Sequence, residues 1–266
     1  MIKLINDDIL KADFSKLPPI NLIITSPPYN INISYDNHKD TMTYDEYLIW
    51  CYNWIQKLYN YLADDGRICI NIPFSVTPIH LNKVKGDDDI NYPVAADYIK
   101  ICQTIGLKYW RTIIWEKLGS SKTCWGSWKS ARSPFMIDPN ECILVFYKTK
   151  WKRNDKGVST ISGRDFMTYI KNIWKMTPQT KSKHPAAFPI ELPKRCIDLF
   201  SYKNDVICDP FMGSGTTGDI TVRMNRNFIG VEMSKSYFDM SKERIECAEL
   251  QANLITQIMP NDVENK

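Results

Sequence analysis

The hydrophobic pattern of this 266-residue chain predicts a doubly wound α/β fold on a mostly parallel sheet, and three observations carry that expectation. Short, nearly continuous apolar runs alternate with amphipathic stretches, the grammar of strand–helix–strand units whose sheet is covered on both faces. Two predicted strand ends carry unusual punctuation: a double proline in "NLIITSPPYNI" (21–31) and a paired-glycine loop in "VICDPFMGSGTTGD" (206–219). A polar, basic, tryptophan-bearing segment interrupts the alternation between residues 117 and 183.

Taken in order, "NLIIT" is a short strand halted by Pro27 and Pro28, and "YDEYLIWCYNWIQKLYNYL" places apolar residues at helical spacing. "DDGRICINIP" reads as a turn followed by a strand, and "PVAADYIKICQTIGL" as a helix ending at Gly106. "YWRTIIWEK" and "NECILVFYK" are further strands, and "PIELPKRCIDLFS" is a helix with a proline in its first turn. "DVICDP" is a strand, "GTTGDITVRM" opens a helix, "RNFIGVEM" is a strand, and "SYFDMSKERIECAELQANLI" is a long terminal helix. No internal repeat or low-complexity tract is present.

Composition bounds the class. With 44% hydrophobic and 24% charged residues, the chain can bury one sizeable core with a smaller appended module. No basic-then-apolar leader opens it and no window approaches the ~18 apolar residues of a membrane span, so a cytoplasmic protein is expected. Eight cysteines without a Cys-x-x-Cys pair read as reduced thiols, which predicts neither a disulfide framework nor a metal site. The net charge of +4 is small but unevenly spread: residues 117–183 hold fourteen Lys or Arg against four Asp or Glu. Four of the eight tryptophans, Trp125, Trp128, Trp151 and Trp174, fall in the same segment. Cations mixed with aromatics and hydroxyls suit a polyanion surface. The alternative is a solvated insertion whose tryptophans pack into a local core.

The glycine loop is the first candidate site. A strand enters a turn with Gly213 and Gly215, and Ser214, Thr216 and Thr217 lead into a helix whose first amides can approach a ligand closely. Glu232 follows seventeen residues after Gly215, at the end of the next strand, where an acid can accept from two ribose hydroxyls. The loop lacks the lysine of a triphosphate-binding loop and the third glycine of a dinucleotide fingerprint, so a nucleoside without a triphosphate fits better than ATP.

"DPFMGSGTT" together with "TSPPYN" resembles the amino-group DNA methyltransferases that use S-adenosylmethionine, and "HPAAFPIELPKRCIDLFS" (184–201) is similar to their segment before the glycine loop. The proline corner precedes and the glycine loop follows the basic segment, an order resembling the circularly permuted β group. The resemblance implies a fold of the class I S-adenosylmethionine-dependent methyltransferase type with an inserted target-recognition region. The expected division is a catalytic half at 1–116, a target-recognition region with one returning core strand at 117–183, and a cofactor-binding half at 184–266. It further implies Ser26, Pro27, Pro28 and Tyr29 as catalytic residues. Cofactor contacts would come from Asp8, Phe188, Asp209, Phe211, Gly213, Gly215, Thr216 and Glu232. Asp7 stands where that family usually has glycine. Asp209 has the alternative role of orienting the glycine loop, and His184 that of a local hydrogen bond. Double-stranded DNA is the implied partner, with a cognate restriction endonuclease as a further expectation.

The corner suits amine chemistry. An exocyclic amine is a poor nucleophile because its lone pair is delocalised into the ring, and acceptors that draw on its hydrogens help it rehybridise. Prolines withhold amide donors and fix φ, leaving the carbonyls of Ser26 and Pro27 and the Ser26 hydroxyl as preset acceptors. Tyr29 is suited to stack on a base removed from the duplex. Transfer to carbon 5 of cytosine would need a Pro-Cys nucleophile, and the sequence contains no such pair. Within the resembled family, Ser at the first corner position favours cytosine N4 over adenine N6. RNA, protein or small-molecule methylation through a similar corner, and a non-catalytic DNA-binding relative, are the alternatives in other classes.

Overall fold

The computed structural model describes residues 1–31, 34–35, 38–39, 42–77, 91–119, 127–134, 136, 138–153, 155–179 and 188–258. In chain order the elements begin with β1 (Ile2–Ile5), β2 (Ile20–Thr25), the two-residue strands β3 (Ser34–Tyr35) and β4 (His38–Lys39), α1 (Tyr44–Tyr61) and β5 (Leu62–Ile72). They continue with α2 (Val94–Ile105), β6 (Lys108–Lys117), β7 (Asn140–Tyr147), α3 (Gly163–Tyr169) and β8 (Ile173–Met176). Last come α4 (Glu191–Phe200), β9 (Val206–Asp209), α5 (Thr216–Arg223), β10 (Asn227–Val231) and α6 (Lys235–Ile258).

Among the described residues, eight strands form one sheet in the order β1-β10-β9-β2-β5-β7-β6-β8. All run parallel except β7, which is antiparallel to both its neighbours, β5 and β6. Strand periodicity divides the core into two layers. Ile23, Ile68, Ile70 and Ile72 face a cluster with α1 and α2, whereas Leu22, Ile24 and Cys69 face one with α4, α5 and Ile245 of α6. Each fully buried aliphatic side chain contributes about 1.5–3 kcal/mol. Helix α1 shows why these residues form these elements. A capping box between Thr43 and Glu46 satisfies its first amides, and Tyr47, Cys51, Trp54, Ile55 and Leu58 repeat on one buried face. Gly106 ends α2 at φ 111°, the left-handed conformation that favours glycine.

The structure departs from the sequence reading in several places. The turn expected at "DDGR" is a bulge within β5: Ile20 pairs with Leu62 and Leu22 with Arg67, so extra residues are absorbed without breaking the strand. Segment 117–183 returns two strands to the sheet, β7 and β8, rather than the single one expected. Both lie in the same sheet as strands from 1–116 and 184–266. Strands β1, β3, β4 and β8 and helix α3 have no counterpart among the elements read from the sequence.

The antiparallel direction of β7 also divides that segment in space. Strand β6 ends, and β7 begins, at the edge where the parallel strands have their carboxyl ends. Strand β7 then carries the chain to the opposite edge. There the Lys148 and Thr149 amides donate to the carbonyls of Gly66 and Asp64 (3.1 and 2.9 Å), near the start of β5. The run "KTKWKRNDKGVSTISGRD" therefore begins at the sheet edge opposite the one where β6 ends and β7 begins. Among the described residues no helix is long and apolar enough to cross a membrane.

Candidate active site

Neighbouring strands β9 and β2 send the chain in opposite directions, β9 through α5 to β10 and β2 through α1 to β5. Such a switch point opens a crevice at the carboxyl ends of the strands. A cleft of about 270 Å³ lies there. It is lined by Asp7–Leu10 after β1, Ser26–Tyr29 after β2, Pro210, Phe211 and Gly213 after β9, and Glu232–Ser234 after β10. Met42, Trp50 and Tyr237 close its sides. The lining carries three carboxylates, Asp7, Asp8 and Glu232, and no Lys or Arg.

The proline corner is held from four directions. Thr25 Oγ1 donates to Asp209 Oδ1 (3.0 Å), tying β2 to β9. The Ser26 and Tyr29 hydroxyls share a hydrogen bond of 2.6 Å. The Pro28 carbonyl accepts from the Tyr47 hydroxyl of α1 (2.9 Å). Asn30 is fully buried at φ 57°, and its side-chain amide donates to the Met42 carbonyl (2.7 Å) and accepts from the Met42 amide (3.1 Å). Asparagine tolerates this left-handed turn, which sends the chain back along the cleft wall.

Behind the corner stands a polar network that sequence reasoning missed. Tyr29 Oη lies 3.3 Å from the Asn71 carbonyl and 3.4 Å from Glu141 Oε2, and it accepts from Asn71 Nδ2 at 3.2 Å. Glu141 also accepts from Asn71 Nδ2 through Oε2 and pairs with Lys117 through Oε1. Asn71 lies one residue before the end of β5, Glu141 is the second residue of β7 and Lys117 ends β6. Asn71 and Glu141 meet the Tyr29 hydroxyl directly, and Lys117 joins through Glu141. No spacing in the sequence signals this, because the contact is made by the sheet.

The glycine loop is positioned by two acids. Asp209 is buried and accepts from Thr25, from Thr217 Oγ1 (2.7 Å) and from the Phe211 amide (3.1 Å). Burial pushes its carboxyl up to about 6, against the hydrogen bonds that favour the charged form. Glu232 accepts from the amides of Gly213 (2.9 Å) and Ser234 (2.8 Å), and burial raises its pKa as well. Phe211 packs edge-on against Trp54, with ring centroids 5.3 Å apart, and lies 5.4 Å from Trp50.

The cleft thus brings together Asp8, Ser26, Pro27, Pro28, Tyr29, Phe211, Gly213 and Glu232. Asp209, Gly215, Thr216 and Phe188 are not among its lining residues. Gly215, at φ 78°, sits where an added Cβ would meet Ser241 Cβ at 2.9 Å, so its lack of a side chain serves the contact between α5 and α6. Thr216 Oγ1 accepts from Arg244 of α6 (3.0 Å). Phe188 packs against the core cluster of α4 and α5. His184 lies outside the described residues.

The tryptophans of the basic segment also separate. Trp174 is fully buried and donates to the Tyr169 carbonyl (3.0 Å), and Trp151 stacks on Trp110 at 3.9 Å. Trp125 lies outside the described residues. Trp128 is 66% exposed, with the Lys129 ammonium 5.5 Å from its ring. It sits in a turn closed by the Ser127 amide donating to the Ser133 carbonyl (2.7 Å) and the Ser133 amide donating to Ser127 Oγ (2.8 Å). Some of the segment's cations serve the fold: Arg153 pairs with Asp205 and Asp155, and Lys175 with Glu116.

A family sequence model described as DNA methylase, of the N6 and N4 type, matches residues 20–243. The Type II methyltransferase M.MjaVI of Methanocaldococcus jannaschii is 43% identical over 183 residues, covering 68% of this chain and 89% of that protein. M.MjaI of the same organism is 27% identical and covers 91% of this chain and 90% of its own length. Among solved structures, the DNA modification methylase TTHA0409 of Thermus thermophilus, complexed with S-adenosyl-L-methionine, superposes with a TM-score of 0.72 at 24% identity over 93% of this chain and 94% of that one. PvuII DNA methyltransferase, described as cytosine-N4-specific, gives 0.69 at 21% identity over 96% and 93% of the two chains. With a matched family model spanning the proline corner, the glycine loop and Glu232, this chain belongs to the DNA methylase family of N6 and N4 amino-methyltransferases.

Proposed function

We propose that this protein transfers a methyl group from S-adenosylmethionine to the N4 amine of a cytosine flipped out of double-stranded DNA. The observation that carries the reading is the cleft: a rigid acceptor corner faces a pocket lined by three carboxylates and no cation. Such a lining favours a positively charged adenosine derivative over a nucleotide phosphate. When bound, S-adenosylmethionine supplies an electrophilic methyl group on a sulfonium centre. The residues present fit it. Glu232, fixed by two backbone amides, keeps lone pairs for the ribose hydroxyls. Asp8 serves the adenine end, Phe211 forms an apolar wall braced by Trp50 and Trp54, and Gly213 leaves room for the ligand. Asp209, Gly215 and Thr216 hold this loop from behind, and Phe188 keeps a packing role.

On the acceptor side, the Ser26 hydroxyl and the Ser26 and Pro27 carbonyls draw on the amine hydrogens while the Tyr29 ring stacks on the base. Their anchoring before substrate arrives avoids reorganisation during transfer. We assign DNA contact to residues 118–139, which leave and re-enter the sheet at the cleft edge and include exposed Trp128 between basic side chains. The far-edge run from Lys148 is left out of the recognition region. Cytosine is favoured because the corner begins with a neutral serine acceptor, Ser26, as cytosine-N4 members of the family more often do. A restriction-modification role with a cognate endonuclease follows from the same reading, supported by the Type II naming of M.MjaVI and M.MjaI. Mass spectrometry of nucleosides from DNA of cells expressing this one gene tests the base assignment. N4-methylcytosine is expected, and N6-methyladenine alone would overturn it.

A further inference from the structure

The Tyr29 hydroxyl has one proton and several acceptors within reach, and which acceptor takes it decides what Ser26 offers to the substrate. If Tyr29 donates to Ser26 across their 2.6 Å contact, a Ser26 lone pair is spent. If the proton turns instead toward the Asn71 carbonyl and Glu141 Oε2, Tyr29 Oη accepts from Ser26, and the Ser26 lone pairs remain for the amine. Asn71 Nδ2 already donates to Tyr29 Oη at 3.2 Å, so the tyrosine oxygen is approached by a donor on that side as well.

We propose that Glu141 is a positioning residue for the acceptor corner: as an acceptor-only anchor clamped by Lys117 and Asn71, it draws the Tyr29 proton away from Ser26, so that the Ser26 hydroxyl donates to Tyr29 and leaves its lone pairs for the target amine. The inference rests on the methyltransferase reading above but not on which base is methylated. A carboxylate is required by the count of donors. Oε1 meets Lys117, while Oε2 meets Asn71 Nδ2 and Tyr29 Oη. An amide in the same place turns its NH₂ either against the Lys117 ammonium or against Asn71 Nδ2, and the second arrangement also reverses the bond to Tyr29. Lys117 is moreover one stem of segment 118–139, and Glu141 lies one residue inside the other, next to Asn140. The corner's polarity is therefore set at the point where the proposed DNA-contacting segment joins the sheet.

The test is a double-mutant cycle with tritiated S-adenosylmethionine and unmethylated bacteriophage λ DNA as acceptor. Glu141→Gln is expected to lower kcat about tenfold or more while the KM for S-adenosylmethionine stays within about twofold. In a Tyr29→Phe background, which keeps the ring and removes the hydroxyl, the same change is expected to cost about twofold or less. An equal tenfold loss in both backgrounds, or an unchanged kcat in the single variant, overturns the proposal. If Glu141→Gln does not fold, Lys117→Gln takes its place in the same cycle with the same two readings. A wild-type protein that labels no DNA would instead sink the methyltransferase reading itself, so the two failures are distinguishable.

Discussion

Replacing Asp209 by asparagine isolates the cost of keeping a charge beneath the cleft. The carboxyl is buried and its pKa is pushed up to about 6, chiefly by burial, with the nearby Glu232 charge a further contribution. An unfolded aspartate titrates near 3.9, so the shift of about two units corresponds to roughly 3 kcal/mol between its protonated and ionised forms. Between the two pKa values the native state binds the proton more tightly. The stabilisation is therefore fully present below about pH 4 and is lost as pH rises through about 6. Asparagine does not titrate, retains one acceptor for the Thr25 and Phe211 donors, and faces the rotatable Thr217 hydroxyl with its amide. Urea unfolding of both proteins without cofactor, from pH 4 to 8, reads the difference directly. Wild-type stability relative to Asp209→Asn should fall by about 2 kcal/mol between pH 4 and pH 7, part of the total being lost already around pH 4, and then level off. A flat difference, or one that grows with pH, would refute the claim that burial dominates this carboxyl.

Other residues of the site give separable outcomes. Glu232→Gln turns one of two backbone amide contacts into a donor facing a donor. Calorimetric affinity for S-adenosylmethionine should weaken by about 1.5–3 kcal/mol, and an unchanged Kd would remove the acid from the cofactor site. Tyr29→Ala should leave that affinity near normal while methyl transfer to DNA drops about 100-fold or more; full turnover would end the base-stacking role. Trp128→Ala should weaken duplex binding in an anisotropy titration by roughly 1–3 kcal/mol without altering cofactor affinity. Equal DNA affinity would return residues 118–139 to the status of an ordinary surface loop.

Much of the sheet was legible because its strands and helices differ in hydrophobic period, and punctuation marked their ends. The strands around "NLIIT", "NECILVFY" and "VICD" and the helices capped by Thr43 and Gly106 are local events. The misses have the opposite character. Strands β1 and β8 have four residues each at the sheet edges, too few to establish a period, and are fixed by pairing with Phe228–Val231 and Ile114–Lys117. Asp64–Gly66 has turn composition, yet flanking pairs on β2 and β7 hold it inside a strand. Trp128 and Trp174 look alike in sequence, and only tertiary packing buries one and leaves the other 66% exposed. Gly213 and Gly215 form a single motif, but one faces the cleft and the other the Ser241 backbone. The Lys117–Glu141–Asn71–Tyr29 network is assembled from residues up to 112 positions apart and has no local signature.

Strands β6 and β7 form a hairpin whose open end faces the cleft, with Trp115 paired to Glu141 and Glu116 to Asn140 at its mouth. Any length of chain inserted there leaves and returns at one place, while the register below it is fixed by cross-strand pairs. The hairpin is thus a socket. Transplanting residues 118–139 from a relative with another target sequence should change which DNA word is modified without rebuilding the chemistry beneath it.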